Sequence, residues 1–242
     1  VSWFGLSGDA LARALELPHV GAHTSLSSTM DEAHALAAGG AAAGTLVLAE
    51  VQTAGRGRGG KRWVSEPRAG IWASLIERPR DARGIEVLSL RVGLALARVL
   101  TRWTDAGIQL KWPNDLFVSG RKLAGVLIEA RWRDQRPDWV AIGIGINLRV
   151  PDDHPEATAL GHAEAGEVLG EVLPALRAAA FASGPLTESE LREFSARDFA
   201  RDRALLAPAT GLARGITADG ALLIESNGAL SSHRAGSLVF SS

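Results

Sequence analysis

Apolar residues along this chain follow two periods, and the switches between them outline a fold. Continuous apolar runs at 45–51 (TLVLAEV), 70–76 (GIWASLI) and 139–147 (WVAIGIGIN) predict buried strands, since they are too short for helices. Apolar positions 88, 92, 95, 96, 99, 100 and 103 keep helical spacing instead and predict a helix with a broad buried face ending before Gly107. Helical patterns also cover 166–181 and 187–200, the second opened by a capping box, Thr187-x-x-Glu190. A similar box, Thr29-x-x-Glu32, predicts a helix running through Ala38, and a short helical pattern at Leu11, Ala14 and Leu15 follows a Ser7 cap. Pro113 breaks a strand and leaves Asn114 and Asp115 as loop residues; the Ser119-Gly120 turn then returns the chain along Leu123–Ile128. From Ala207 onward short strands are punctuated by Asp219-Gly220 and Asn227-Gly228, both hairpin signals. A tail of about 35 residues buries too little surface to stand alone, so it is expected to dock on the main domain.

Composition narrows the class. The chain has 242 residues and a net charge of −1, enough for one main domain with a small appendage and no overall bias toward a polyanionic partner. Charge is nevertheless segregated: Arg56 to Arg83 holds eight Lys and Arg (56, 58, 61, 62, 68, 78, 80 and 83) against Glu66, Glu77 and Asp81, enough to steer a small anion. The absence of cysteine excludes disulfides, thiol chemistry and Cys-type zinc sites. No signal pattern is present and no apolar run approaches the roughly 20 residues of a membrane span, so a cytoplasmic protein is expected. His19 and His23 have the spacing of a helical metal pair, but Val20–Ala22 between them suits a strand and no further ligands accompany them.

The chemistry concentrates in Gly55–Trp63, GRGRGGKRW. Four glycines bring backbone N–H groups close to a ligand, and Arg56, Arg58, Lys61 and Arg62 supply positive charge, so the segment suits an anion; the same residues suit a solvated surface loop. Gly55-x-Gly57-x-x-Gly60 matches a dinucleotide fingerprint in form, yet Lys61–Pro67 has no helical period after it; a Walker loop and a kinase glycine loop fail for want of their partner motifs. Ser28 and Thr29 either cap the next helix or offer hydroxyls to a neutral polar ligand. Lys122, entering an apolar strand, is either an edge residue reaching water or a cation aimed at a pocket. Gly143 and Gly145, on one strand face, mark either the approach of something flat or tight packing against a helix.

Together these blocks resemble the biotin protein ligase family. The residues that carry the resemblance are Ser28-Thr29, Gln52 to Arg58 with Trp63, Lys111-Trp112-Pro113-Asn114-Asp115, Arg121 to Gly125, and Gly143 to Asn147, with a terminal segment from Arg214 to Leu223. The resemblance implies an α+β fold: a mixed β-sheet flanked by helices, similar to the catalytic core of class II aminoacyl-tRNA synthetases, over 1–203, and a small C-terminal SH3-like β-barrel over 204–242. It implies activation of biotin by ATP with Mg²⁺ to biotinyl-AMP, then transfer to a lysine of a biotin carboxyl carrier protein. By the same resemblance Ser28, Thr29, Gln52, Gly55, Gly57, Gly125, Gly143 and Gly145 recognise biotin; Arg56, Arg58 and Lys122 are catalytic; Trp63, Asn114 and Asn147 lie toward the nucleotide; and Asp115 is the candidate metal ligand. Only 27 residues precede Ser28, so the DNA-binding domain of some members, and with it DNA as a partner, is not expected. Pairing of strand edges into a homodimer suits the architecture, and no membrane partner is expected. Two departures stand out: Met30 where many members have Asn, and Gly59 where a basic residue is common. A lipoate protein ligase and a non-catalytic nucleic-acid binder are the rival readings.

Overall fold

The computed structural model describes residues 2–79, 81–152 and 154–241, so Arg80 of the basic segment lies outside the described residues. At the N-terminal end, β1 (Ser2–Trp3), β2 (Leu6–Ser7), α1 (Gly8–Ala14), β3 (Val20–Leu26), α2 (Thr29–Ala38), β4 (Thr45–Gln52) and β5 (Gly70–Glu77) follow one another. The middle comprises α3 (Ala82–Glu86), α4 (Leu88–Leu100), β6 (Ile108–Lys111), β7 (Asp115–Val118), β8 (Arg121–Arg133) and β9 (Arg136–Asn147). The chain ends with α5 (Ala165–Phe181), α6 (Glu188–Arg197), β10 (Ala204–Ala207), β11 (Gly211–Ile216), β12 (Leu222–Ser226), β13 (Ala229–His233) and β14 (Val239–Phe240).

Seven strands form a mixed sheet in the order β3-β4-β5-β9-β8-β7-β6, in which β3 and β4 are parallel and the other pairs antiparallel. Helices cover both faces, the α+β layering expected of a sheet with two apolar faces. The even positions of β9, Val140, Ile142, Ile144 and Ile146, enter the main core with Leu96 and Leu100 of α4 and Val172 and Leu176 of α5. The odd positions face α2, and their size falls along the strand: Trp139 and Ala141 pack with Met30, Ala33 and Ala37, while Gly143 and Gly145 follow. One sheet face is therefore filled at one end and hollow at the other, and the hollow becomes the cleft.

Local signals hold at two of the three hairpin turns and shift slightly at helix ends; Asp219-Gly220, expected as a two-residue turn, lies within the longer 217–221 loop between β11 and β12. Ser119-Gly120 and Asn227-Gly228 are two-residue turns with both φ angles positive, which this chemistry favours. Thr187 and Glu190 form the expected capping box. The α2 cap, in contrast, is Ser28, whose hydroxyl accepts from Asp31 N–H at 3.4 Å; Thr29 is the first helical residue, and its hydroxyl is turned to the neighbouring strands. Asp115 is not a loop residue but the first residue of β7, paired with Lys111 and Gly125. The helix expected to Ala200 ends at Arg197, because Phe199 N–H donates to Leu110 O at 3.0 Å and draws the chain onto the sheet edge.

The last five strands form a separate antiparallel sheet, β13-β12-β11-β10-β14. It is open: among the described residues no ladder joins β13 to β14. Leu205, Ala213, Leu222, Ile224 and Leu238 belong to the same buried cluster as α4 and α5, so this sheet does dock on the main domain. Trp112 Nε1 donates to Gly220 O at 2.9 Å across the junction.

Asp198, just after α6, is 8% exposed, and its Oδ1 accepts from Ala200 N–H at 2.9 Å while Oδ2 has no partner among the described residues. Burial pushes its carboxyl up from 3.8 to about 6. Such a group binds its proton more tightly when folded, so its contribution is full below pH 3.8 and is lost as pH rises through about 6. Asp198→Asn keeps the acceptor and removes the charge, and is expected to raise stability at pH 8 by on the order of 2 to 3 kcal/mol. Urea denaturation of both proteins at pH 8 and at about pH 4.5 checks this: the gain shrinks by half or more at the lower pH, and an equal gain at both would contradict it.

Candidate active site

The hollow end of the sheet opens into a cleft lined from β4, β5, β8, β9, α2, the Gly55–Trp63 flap and the Lys111–Asp115 segment. Gly125 and Gly145 are directly opposite one another on β8 and β9, and together they make a strip without side chains. The Trp63 ring lies flat against it: a Cβ built on Gly145 would come 2.3 Å from Trp63 Cζ2, and one on Gly125 would come 2.7 Å from Cζ3. Gly143 answers to a helix instead, since its Cβ would come 2.6 Å from Met30 Cε. Both readings of the glycines thus hold, each at a different residue. With Trp63 seated, about 190 Å³ of cleft remains, less than the roughly 300–1,000 Å³ usual for small-ligand sites.

A neutral polar network closes the deep end. Ser74, fully buried on β5 beside Gly143, donates to Thr29 Oγ1 at 2.9 Å, and Thr29 donates its hydroxyl (3.1 Å) and its N–H (2.8 Å) to Gln52 Oε1. Gln52 Oε1 is thereby engaged, which leaves the Nε2 donor as the group it can offer a ligand. Gln52 is itself held by a pair of backbone bonds with Ser65 Oγ, one accepting and one donating. Ser28 is 1% exposed and faces the cleft from the start of α2.

Six cationic side chains, Arg56, Arg58, Lys61, Arg62, Lys111 and Lys122, line the cleft with one carboxylate, Asp115. Lys122 Nζ lies 2.8 Å from Asp115 Oδ1 and 4.8 Å over the Trp63 ring, so the lysine is aimed into the pocket rather than along the edge. Its backbone is fixed on both sides: Lys122 N–H donates to Glu156 O at 2.9 Å, and its carbonyl accepts from Thr158 N–H at 2.8 Å and from Asn147 Nδ2 at 3.3 Å. Burial lowers the Arg58 guanidinium and the Lys111 ammonium from their usual values, with Asp115 pulling both the other way.

The flap is a hairpin tied by Trp63 N–H to Gly55 O (2.9 Å) and Gly57 N–H to Lys61 O (2.6 Å), and it turns through Gly59 and Gly60 at positive φ. Two of its arginines are held by neighbouring elements. Arg58 Nη2 donates to Gly236 O in the C-terminal sheet's last loop. Arg56 meets Asp31 of α2 at 2.5 Å and Glu129 of β8 at 3.3 Å. Glu129 is positioned in turn by His34 Nε2 at 3.0 Å; because Trp139 Nε1 donates to His34 Nδ1 at 2.9 Å, neutral His34 carries its proton on Nε2 and donates it to Glu129.

The cleft thus gathers Ser28, Thr29, Gln52, Arg56, Gly57, Arg58, Trp63, Asn114, Asp115, Lys122, Gly125, Gly143 and Gly145. Gly55 and Asn147 are not on its wall; Gly55 sits behind the flap against Trp63 O, and Asn147 braces Lys122 and Thr158 through their carbonyls. Asn114 reaches the wall, yet its Nδ2 donates to Val126 O at 2.9 Å. Among the described residues no group of three or more His, Asp or Glu gathers to hold a metal. Sequence reasoning missed Ser74, hidden as one polar residue in an apolar strand, and the Ser237-Leu238 rim, which only tertiary packing brings to the cleft. Lys111 also lines the cleft.

Residues 22–147, which include the flap, the glycine floor and Lys122, match the Biotin/lipoate A/B protein ligase family. The bifunctional ligase/repressor BirA of Bacillus subtilis (strain 168) is 42% identical over 172 residues, 68% of this chain and 51% of that protein. The biotin--[acetyl-CoA-carboxylase] ligase of Mycobacterium tuberculosis is 39% identical over 126 residues, 48% of this chain and 45% of that protein. The chain therefore spans about half the length of these curated relatives. A solved biotin protein ligase from Aquifex aeolicus, in complex with biotin and ATP, is 26% identical with a TM-score of 0.74 over 90% of this chain and 97% of that one. On the match across more than half of its length, the chain belongs to the Biotin/lipoate A/B protein ligase family.

Proposed function

We propose that the protein is a biotin protein ligase, which forms biotinyl-AMP from biotin and ATP and then passes biotin to a lysine of a biotin carboxyl carrier protein. The observation that carries this reading is the composition of one cleft: six cations against one carboxylate at its mouth, and a neutral hydroxyl–amide network beside a glycine floor at its deep end. Biotin has matching parts, a neutral ureido ring system and an anionic tail. The named relatives support the same choice within the family.

In the first step an oxygen of the biotin carboxylate attacks the α-phosphorus of ATP, and the bond to the bridging oxygen breaks with its electron pair leaving on pyrophosphate. Two anions must meet, so the barrier falls when fixed cations are already in place. Lys122 is the residue for the oxygens between biotin and phosphate, and Arg58, once released from Gly236 O, for the α-phosphate; Arg56 contributes when the flap exchanges Asp31 and Glu129 for substrate. In the second step the neutral amine of the acceptor lysine attacks the anhydride carbonyl, AMP leaves, and the amine loses its proton. Ser28, Thr29, Gln52 and Ser74 serve the ureido end, and the floor of Gly125 and Gly145 takes the ligand once the Trp63 ring, which rests on it here, moves aside with the flap. Asp115 is a single cleft carboxylate, which suits Mg²⁺ brought in by the nucleotide's phosphates with most of its water shell, rather than an all-protein cage.

We further read residues 1–203 as the catalytic unit and 204–242 as an SH3-like module that closes its rim, in a cytoplasmic protein able to pair through a sheet edge. The second sheet's start at Ala204 supports that division. Among the described residues no helix is long and apolar enough to cross a membrane. The lipoate ligase reading has the same family match but less use for a neutral polar network, and the nucleic-acid reading fits poorly with cations that converge on a concave cleft beside one aromatic flap residue.

Isotope exchange between pyrophosphate and ATP tests the function: it is expected to depend on biotin and to persist in excess lipoate, whereas exchange that follows lipoate would refute the assignment. The flap offers trypsin Arg56, Arg58, Lys61 and Arg62, all exposed except the half-buried Arg58. Cleavage there is expected to fall by about tenfold with biotin and ATP bound, because ligand contacts then order glycine-rich backbone; unchanged cleavage counts against closure. Arg58→Gly is expected to release biotinyl-AMP faster and to label non-cognate lysines, read by mass spectrometry of a bystander protein; leakage with unchanged acceptor selectivity would contradict it.

A further inference from the structure

The glycine floor of the cleft is covered by the chain's own flap. Cβ atoms built on Gly145 and Gly125 would come 2.3 and 2.7 Å from the Trp63 ring, so a side chain at either position would displace it. Trp72, opposite Gly145 on β5, closes one side of the seat edge-on, with 6.0 Å between ring centres. Lys122 Nζ lies 4.8 Å from the centre of the indole. One ring thus covers both the floor and the ammonium group that serves the first step.

The seat fits a fused pair of rings, which describes the head of biotin as well as an indole. About 190 Å³ of cleft is left beside the seated ring, too little for a whole ligand by the roughly 300–1,000 Å³ usual for such sites. The ring's fit also has a weak point. Trp63 Nε1 is buried with no hydrogen-bond partner among the described residues, and a buried donor without an acceptor weakens the seating. The ureido group of biotin, in contrast, meets Gln52 Nε2 and the hydroxyls beside it, so exchanging ring for ligand replaces an unsatisfied group by satisfied ones. The contacts that hold the flap down are also ones that substrate anions can replace: Arg58 on Gly236 O, and Arg56 on Asp31 and Glu129.

We propose that Trp63 is an internal competitor of biotin, an autoinhibitory contact that closes the floor and caps Lys122 until the ring lifts. The inference rests on the ligase reading and concerns the regulation of that same site. Ligand enters only those molecules whose ring has lifted, so the apparent affinity and the rate of entry are both lower than the floor alone would give.

The test follows association of radiolabelled biotin with the full chain by rapid filtration, for the wild type, Trp63→Gly and Trp63→Phe. In the wild type the observed rate is expected to level off as biotin rises, at the rate of ring lifting. In Trp63→Gly it is expected to stay linear and to run about tenfold faster, the effect of a lifted fraction near one in ten. Trp63→Phe, which keeps a smaller ring for the floor, is expected to fall between. Millimolar indole, filling the seat that Trp63→Gly vacates, is expected to slow biotin entry into that variant and to leave the wild type within about twofold. Linear wild-type association with the slope of Trp63→Gly, slower entry in both variants, or indole acting equally on wild type and variant would overturn the proposal. Wild-type protein that takes up no biotin would overturn the ligase reading itself, whereas wild-type uptake unaltered by either substitution overturns this assignment alone.

Discussion

Like-charge repulsion is the constraint around which this cleft is built. Six cations face inward with one carboxylate among them, and such a cluster is unfavourable until anions arrive. The fold manages it by giving most of these charges a temporary partner. Arg56 rests on Asp31 and Glu129, Arg58 on a backbone carbonyl, Lys122 on Asp115 and Lys111 on two phenyl rings. The exposed arginine pair contributes little to stability, as solvent-screened pairs do, so exchanging it for a substrate anion is cheap. The positions are fixed in advance while the charge remains available.

The space for chemistry comes from an ordinary property of strands. Side chains alternate across a sheet, so a change of residue size along one face changes the surface without disturbing the other. On β9 the even residues stay large and aliphatic and hold α4 and α5, while the odd ones shrink from Trp139 to Gly145. The helix α2 covers the filled half and ends its duty at Met30, which packs against Gly143. Met30, 3% exposed, serves helix packing on the sheet. Beyond it the cleft begins, roofed by a flap that grows directly out of β4.

Much of this was legible in the sequence because it is local. Apolar run length gave the central strands β4, β5 and β9, and turn chemistry gave Ser119-Gly120 and Asn227-Gly228, where side-chain-free or polar residues adopt positive φ. The flap and Lys122 stood out since glycine and charge interrupt apolar strands there. What stayed hidden depends on packing between distant segments. Ser74 looks like any small residue in a buried strand until Thr29 is set beside it. Asn114 and Asn147 also have a bracing role that the sequence does not report, their amides donating to the carbonyls of Val126, Lys122 and Thr158. The Gly236–Leu238 rim and the contact of Phe240 with Lys111 join residues more than a hundred positions from their partners, and no local period reports such a meeting. The closed barrel expected of the last strands also depends on long-range pairing, and the sheet is open.

The electrostatic core of this picture is tested most directly by rapid-quench measurement of biotinyl-AMP formation in Lys122→Met with biotin and ATP both saturating. Removal of a preorganised charge from the reacting oxygens is expected to slow adenylate formation by on the order of 10² to 10³, while the affinity for biotin alone changes by only a few-fold. Adenylate formation at the parental rate would contradict it.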